Sequence, residues 1–205
     1  MVAVIGIVLG LILVQKWLRT HNRPMIHFAV YFVGCGCYLF RALIDLGYGN
    51  AEILSRSMYL IGMVAMTLGV LPGTLLLLPS TGKLKKTVYK VLPLLLFIIT
   101  VSAALLAPLE QTDVGIYVFQ HPYRLFLLRV LHGSIGSFAI ISLLYLAYVM
   151  KDLKPAVMGV GFIFVLVGTI FMGTHEVAQT IVGSVVQALG LVIFFLALVG
   201  LSKLT

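Results

Sequence analysis

The sequence predicts an all-α polytopic membrane protein: one domain, residues 1–205, folded as a seven-helix transmembrane bundle with its N-terminus outside and its C-terminus in the cytoplasm. Three observations predict it. Apolar residues make up 61% of the 205 and charged ones only 10%, too few to coat a soluble globule, so lipid is the natural solvent. Seven apolar runs, 2–18, 25–47, 57–79, 88–107, 124–150, 155–174 and 178–202, each approach the ~20 residues that a hydrocarbon core of ~30 Å requires. Finally, ten of the fourteen Lys and Arg residues fall in every second gap between runs, and five of the six acids fall in or beside the other gaps.

Taken in order, the first run lacks a positive n-region and a small-residue cleavage pattern, so it reads as a retained helix. Lys16 and Trp17 suit its inner interface, and Pro24 separates it from the second run. Cys35 and Cys37 sit mid-helix and point different ways, which favours buried packing over a disulfide or a shared metal. The third run carries Pro72-Gly73 and is expected to kink. The fifth starts at Pro122 or nearer Leu128. Glycines scattered through the runs, among them Gly34, Gly136, Gly161, Gly168, Gly183 and Gly190, allow close helix approach. Tyr48, Tyr59, Tyr117 and Tyr123 are expected in an interfacial aromatic belt. The topology permits a repeat relating the first three helices to the last three, but the residues alone show none convincingly.

Orientation follows from the gap charges. Lys16, Arg19 and Arg23, then Lys83, Lys85, Lys86 and Lys90, then Lys151 and Lys154, and finally Lys203 face one acid, Asp152, while Glu52, Glu110, Asp113 and Glu176 mark the opposite gaps. The net charge of +8 is thereby concentrated at the cytoplasmic face, opposite anionic headgroups. Insertion topology explains these bases better than nucleic acid does.

Polar groups inside hydrocarbon cost ~2.5–3.5 kcal/mol each unless paired or hydrated, so they mark candidate function. Arg41 and Asp45 lie one turn apart in the outer half of the second helix. Arg129 and His132 lie in the outer part of the fifth, and His175 and Glu176 form the outer turn before the seventh. Glu176, Thr180, Gly183 and Gln187 then descend as a polar stripe. Together Arg41, Asp45, Arg129, His132, His175, Glu176 and Gln187 are the expected contacts of one outward-facing cavity, with Gln187 at its floor. Each has a plainer reading: Arg41 and Asp45 as a self-neutralising pair, Arg129 as a snorkelling end, Gln187 and Thr180 as interhelical glue.

Histidine is the residue type best suited to hold a cofactor. His132 and His175, with Arg41, Arg124 and Arg129 to neutralise propionates, would form a bis-His site for haem b; the same histidines with Glu176 or Asp45 would form an open zinc site. Hydrolase, P-loop and dinucleotide fingerprints are absent, and no lysine lies deep in the seventh helix to carry a retinal Schiff base.

Arg56-Ser57-Met58-Tyr59-Leu60-Ile61-Gly62, Leu71-Pro72-Gly73-Thr74, the basic turn from Lys83 to Lys90 and Ala107-Pro108 give the chain, from about residue 5 to 202, a pattern that resembles the seven-helix membrane input regions of bacterial and archaeal histidine kinases and their stand-alone relatives of unknown function. That resemblance implies a sensor of a ligand or lipid state, with a cavity open to the outside. No kinase or other output domain follows, so another membrane protein or a signalling subunit is expected to carry the signal. The expectation is thus a non-enzymatic, multi-pass cell-membrane module that senses a small ligand or serves as an accessory subunit. Its alternatives are a b-type haem electron-transfer subunit, or a small-solute transporter supported by the Pro72 kink and weakened by the missing repeat.

Overall fold

A computed structural model describes residues 2–48, 52–79, 83–111, 117–172 and 177–201. The chain is almost wholly helical: α1 (Val2–Thr20), α2 (Arg23–Tyr48), α3 (Glu52–Leu77), α4 (Lys83–Leu106), a hairpin of β1 (Leu109–Gln111) and β2 (Tyr117–Phe119), the single turn α5 (His121–Arg124), a π-helical stretch (Leu125–His132), α6 (Gly133–Met150), α7 (Leu153–Met172) and α8 (Val177–Leu201). Among the described residues five segments, Val2–Thr20, Glu52–Leu77, Val130–Met150, Leu153–Phe171 and Ala178–Gly200, are long and apolar enough to cross a membrane. Lys90–Leu106 is a shorter apolar helix.

Local chemistry explains where the helices stop. His21 and Lys151 adopt left-handed backbone angles, φ 51° and 52°, ending α1 and α6 as a glycine would at ~1–2 kcal/mol less strain. Asp152, the lone acid among the basic gaps, then accepts a hydrogen bond from the Lys154 N–H at 3.0 Å, capping the start of α7. Lys16 Nζ donates to the Val199 carbonyl at 3.0 Å. That bond joins the ends of α1 and α8 and sets a cation among orphan carbonyls.

Inside α3, Pro72 has no N–H, so the Leu68 carbonyl loses its helical donor. His27 of α2 hydrogen-bonds to the Leu68 backbone, making good the loss from across the seam. Gly69 permits this approach: a Cβ there would collide with the Tyr31 backbone nitrogen. Aromatic rings fill the middle of the same layer, where Tyr31 of α2 stacks on Phe162 of α7 at 5.4 Å and Phe28 meets Phe194 of α8 at 5.1 Å. These rings are buried and hold α2 against α7 and α8.

The structure corrects the expectation that no repeat is present. α1–α2–α3 and α6–α7–α8 are built alike. The left-handed residues His21 and Lys151 are 130 positions apart. A Cβ on Gly6 would strike Phe32 and Gly36, and one on Gly136 would strike Phe162 and Leu166, every member displaced by 130. Met25, Phe28, Ala29, Tyr31, Phe32 and Cys35 of α2 are buried, and so are the residues 130 later in α7. On the third helix the displacement is 121: Gly62 and Gly69 of α3 abut α2, and Gly183 and Gly190 of α8 lie against α7. Contacts between the triplets correspond too, because α1 packs on α8 and α6 packs on α3. α4, the hairpin and the π-helical stretch link the two halves.

Candidate functional site

Of the seven residues predicted to line a cavity, Gln187 is the one whose surroundings are fully defined. It lies midway along α8, 3% exposed. Close approach of α7 and α8 puts it there: a Cβ on Gly168 would meet the Gly183 carbonyl at 2.6 Å and Gln187 Cβ at 2.7 Å, so only glycine at 168 lets the amide sit in the seam.

A short chain of hydrogen bonds orients that amide. Thr169 Oγ1 donates to the Val165 carbonyl at 2.8 Å, committing its proton, so toward Gln187 it can only accept. Gln187 Nε2 donates to it at 3.5 Å, a long contact. The amide oxygen is thereby turned to the other side, where Oε1 is buried without a hydrogen-bond partner among the described residues. An unmatched buried acceptor costs ~1–3 kcal/mol, and an apolar side chain of similar size would avoid the cost. Chemically, the site is an acceptor that favours an N–H or O–H donor.

The remaining predicted residues are only partly placed. Arg41 and Asp45 have backbones in the last turns of α2, and Arg129 lies in the π-helical stretch; their side chains lie outside the described residues. His132 is half-buried and closes that stretch. His175 and Glu176, the first of them the partner expected for His132 in a haem site, lie outside the described residues. Among the described residues no three His, Cys, Asp or Glu side chains are grouped to hold a metal ion. Thr180 is half-buried on α8, one turn before Gly183. Both cysteines are free, Cys35 buried as expected and Cys37 only half-buried.

A second cluster was missed by the sequence reading. Arg56 Nη1 donates to the carbonyls of Ala104 at 3.2 Å and Ala107 at 2.7 Å. Its other nitrogen pairs with Glu52 at 3.4 Å. The guanidinium thus caps the last turn of α4 from α3. Tyr59, expected in an interfacial belt, is instead 1% exposed. Its ring packs on Phe119 of β2 at 4.2 Å and on Tyr38 of α2 at 5.0 Å, because the hairpin folds over it. The legible signals were the i,i+4 spacing of Glu52 and Arg56 and the Ala107-Pro108 helix stop, which leaves carbonyls wanting donors.

Fold and site together define a helical protein with several helices apolar enough to cross a membrane. Comparison with protein families, with curated proteins and with solved structures gave no match to this chain.

Proposed function

We propose that this protein is a seven-span membrane module, its basic end in the cytoplasm and its hairpin end outside, that recognises a small donor-bearing ligand between its helices and passes the event to another membrane protein or signalling subunit. The observation that carries the reading is the buried, unpartnered Oε1 of Gln187. A sealed acceptor can be reached only if α8 shifts against its neighbours. Ligand binding and helix movement are then one event, which is what a sensor of the kind the sequence resembles requires. The π-helical turns beside His132 add support, since such irregularities are found mostly at functional sites.

Native mass spectrometry of the protein extracted in mild detergent tests this. A bound small molecule present in the wild type and absent from Gln187→Leu is the expected result; identical, ligand-free spectra of both would overturn it. Reporter fusions after Leu78 and after Lys151 test the orientation and should both report cytoplasm. An absorption spectrum of the same sample disposes of one rival: a Soret band lost in His132→Ala would replace this reading with a haem b subunit. The repeat favours a second reading, a small-solute transporter, because parallel repeats put the solute path at the interface of the halves. Protein in sealed vesicles that carries the co-purified molecule across the bilayer would decide for transport.

A further inference from the structure

The repeat separates what packing requires at the Gln187 site from what has been added to it. Gly62 of α3 abuts Tyr38 of α2 as Gly183 of α8 abuts Gly168 of α7, so the α2–α3 and α7–α8 seams are one joint built twice, and both are extensive. At displacements of 130 and 121, Thr169 and Gln187 correspond to Leu39 and Met66, which lie half-buried against the core. The joint thus closes with a leucine and a methionine in one half, and the hydroxyl and amide of the other half are not needed to form it. Nor do they strengthen it. Their mutual contact is long, at 3.5 Å, and it leaves Oε1 buried without a partner among the described residues. A polar pair that packing does not need, and that disfavours the ligand-free state, points to a bound group that completes it.

We propose that Thr169 is a positioning residue that fixes the polarity of this site, and that the site takes a neutral small molecule carrying a hydroxyl or an amide N–H. Thr169 Oγ1 gives its proton to the Val165 carbonyl at 2.8 Å. It therefore meets Gln187 as an acceptor, holds the NH2 end of the amide and leaves the oxygen for the ligand. Without that hydroxyl neither end of the amide is preferred, and the site would take donors and acceptors alike. Charge is disfavoured for a separate reason. α7 and α8 carry one ionisable side chain between them, Lys154, at the inner end of α7 and about 22 Å from Thr169 along the helix axis. An ion in the seam would find no counter-charge on either helix and would keep its desolvation cost. An alcohol or amide gives up only the water on its donor, and Oε1 replaces that bond. The inference rests on the ligand-binding reading above and names the chemistry of the same site.

The test uses two probes of nearly equal shape, cyclohexanol, which carries an O–H, and cyclohexanone, which offers an acceptor alone. Each is titrated against the washed, detergent-purified full chain, with the shift of the unfolding midpoint as the readout. Shifts are taken relative to Gln187→Leu, which removes the effect of the probes on the detergent. The expected result is that the wild type binds the alcohol about tenfold or more tighter than the ketone. The ratio should fall near one in Thr169→Val and return in Thr169→Ser, whose hydroxyl can make the same bond to Val165. A ratio that Thr169→Val leaves unchanged, a preference for the ketone, or a wild type that responds no more than Gln187→Leu would overturn the inference. Identification by mass of the molecule that co-purifies with the wild type is the separate check. An ion, or a molecule without an N–H or O–H, that is lost in Gln187→Leu overturns this inference and leaves the ligand-binding reading standing, whereas a wild type that carries no molecule fails that reading itself.

Discussion

Replacing Gln187 by leucine should make the ligand-free protein more stable, an unusual expectation for a buried position. The wild-type amide makes one contact, Nε2 to Thr169 Oγ1 at 3.5 Å, and interhelical hydrogen bonds in membrane proteins average only ~0.6 kcal/mol. Against that stands the unmatched Oε1, whose burial costs ~1–3 kcal/mol. Leucine has nearly the same volume, so no cavity opens, and the net change is a stabilisation of roughly 1–2 kcal/mol. Reversible unfolding in mixed detergent, titrated with a denaturing detergent, measures this directly. Thr169→Val should change little on its own, and its coupling to Gln187→Leu should stay below ~0.6 kcal/mol. A clear loss of stability in Gln187→Leu when both proteins are ligand-free would refute the reasoning, because Oε1 would then have to be satisfied within the helix bundle itself.

Other perturbations separate helix seams from helix ends. Gly6→Ala should cost more than Gly136→Ala, by ~1 kcal/mol or more in the same unfolding assay: the added carbon at Gly6 meets the Phe32 carbonyl at 2.8 Å, whereas at Gly136 it meets Leu166 methyls at 2.9 Å that can rotate away. His27→Ala should destabilise by about 1 kcal/mol, and the loss should shrink in a Pro72→Ala background, where the restored N–H satisfies the Leu68 carbonyl; an unchanged loss would show that the two are not linked. Arg56→Met should cost ~1.5–3 kcal/mol, as expected for hydrogen bonds made by a charged donor, and should speed amide hydrogen exchange in the last turn of α4 before any other segment. Asp152→Ala should cost ~1 kcal/mol through loss of the α7 cap, with no effect on orientation if the surrounding lysines alone set it.

Much of the architecture was legible because hydrophobic run length is a strong signal. The run 2–18 became Val2–Thr20, and 155–174 became Leu153–Met172. The fourth helix begins earlier than its apolar run, at Lys83, since lysine is a good helix former even where it ends a hydrophobic span. The hairpin was not legible: strands of three residues, Leu-Glu-Gln and Tyr-Val-Phe, carry too little alternation to stand out. The buried position of Gln187 was legible because a stripe with spacings of four, three and four points down one helix face. The role of Arg56 was hidden, because a base near a helix end counts equally well as a topology signal. The repeat escaped notice because apolar types exchange freely at its equivalent positions, Tyr31 for Gly161 and Cys35 for Val165, while burial is preserved. Its signature lies in backbone and packing, which become visible only in three dimensions.

The bond from Lys16 to the Val199 carbonyl spans 183 positions of sequence, and it bears on how the chain is assembled. α2 with α3, and α7 with α8, are neighbours in sequence, so each pair can associate without waiting for the rest of the chain. α1 emerges first, yet it cannot reach its place against α8 until the last helix has been made. The loop closed by that contact is long, so it forms more slowly than contacts between neighbouring helices. α1 can therefore dock on α8 only after α8 has been made, and a chain interrupted before α8 leaves Lys16 without the Val199 carbonyl while the glycine face of α1 stays packed on α2.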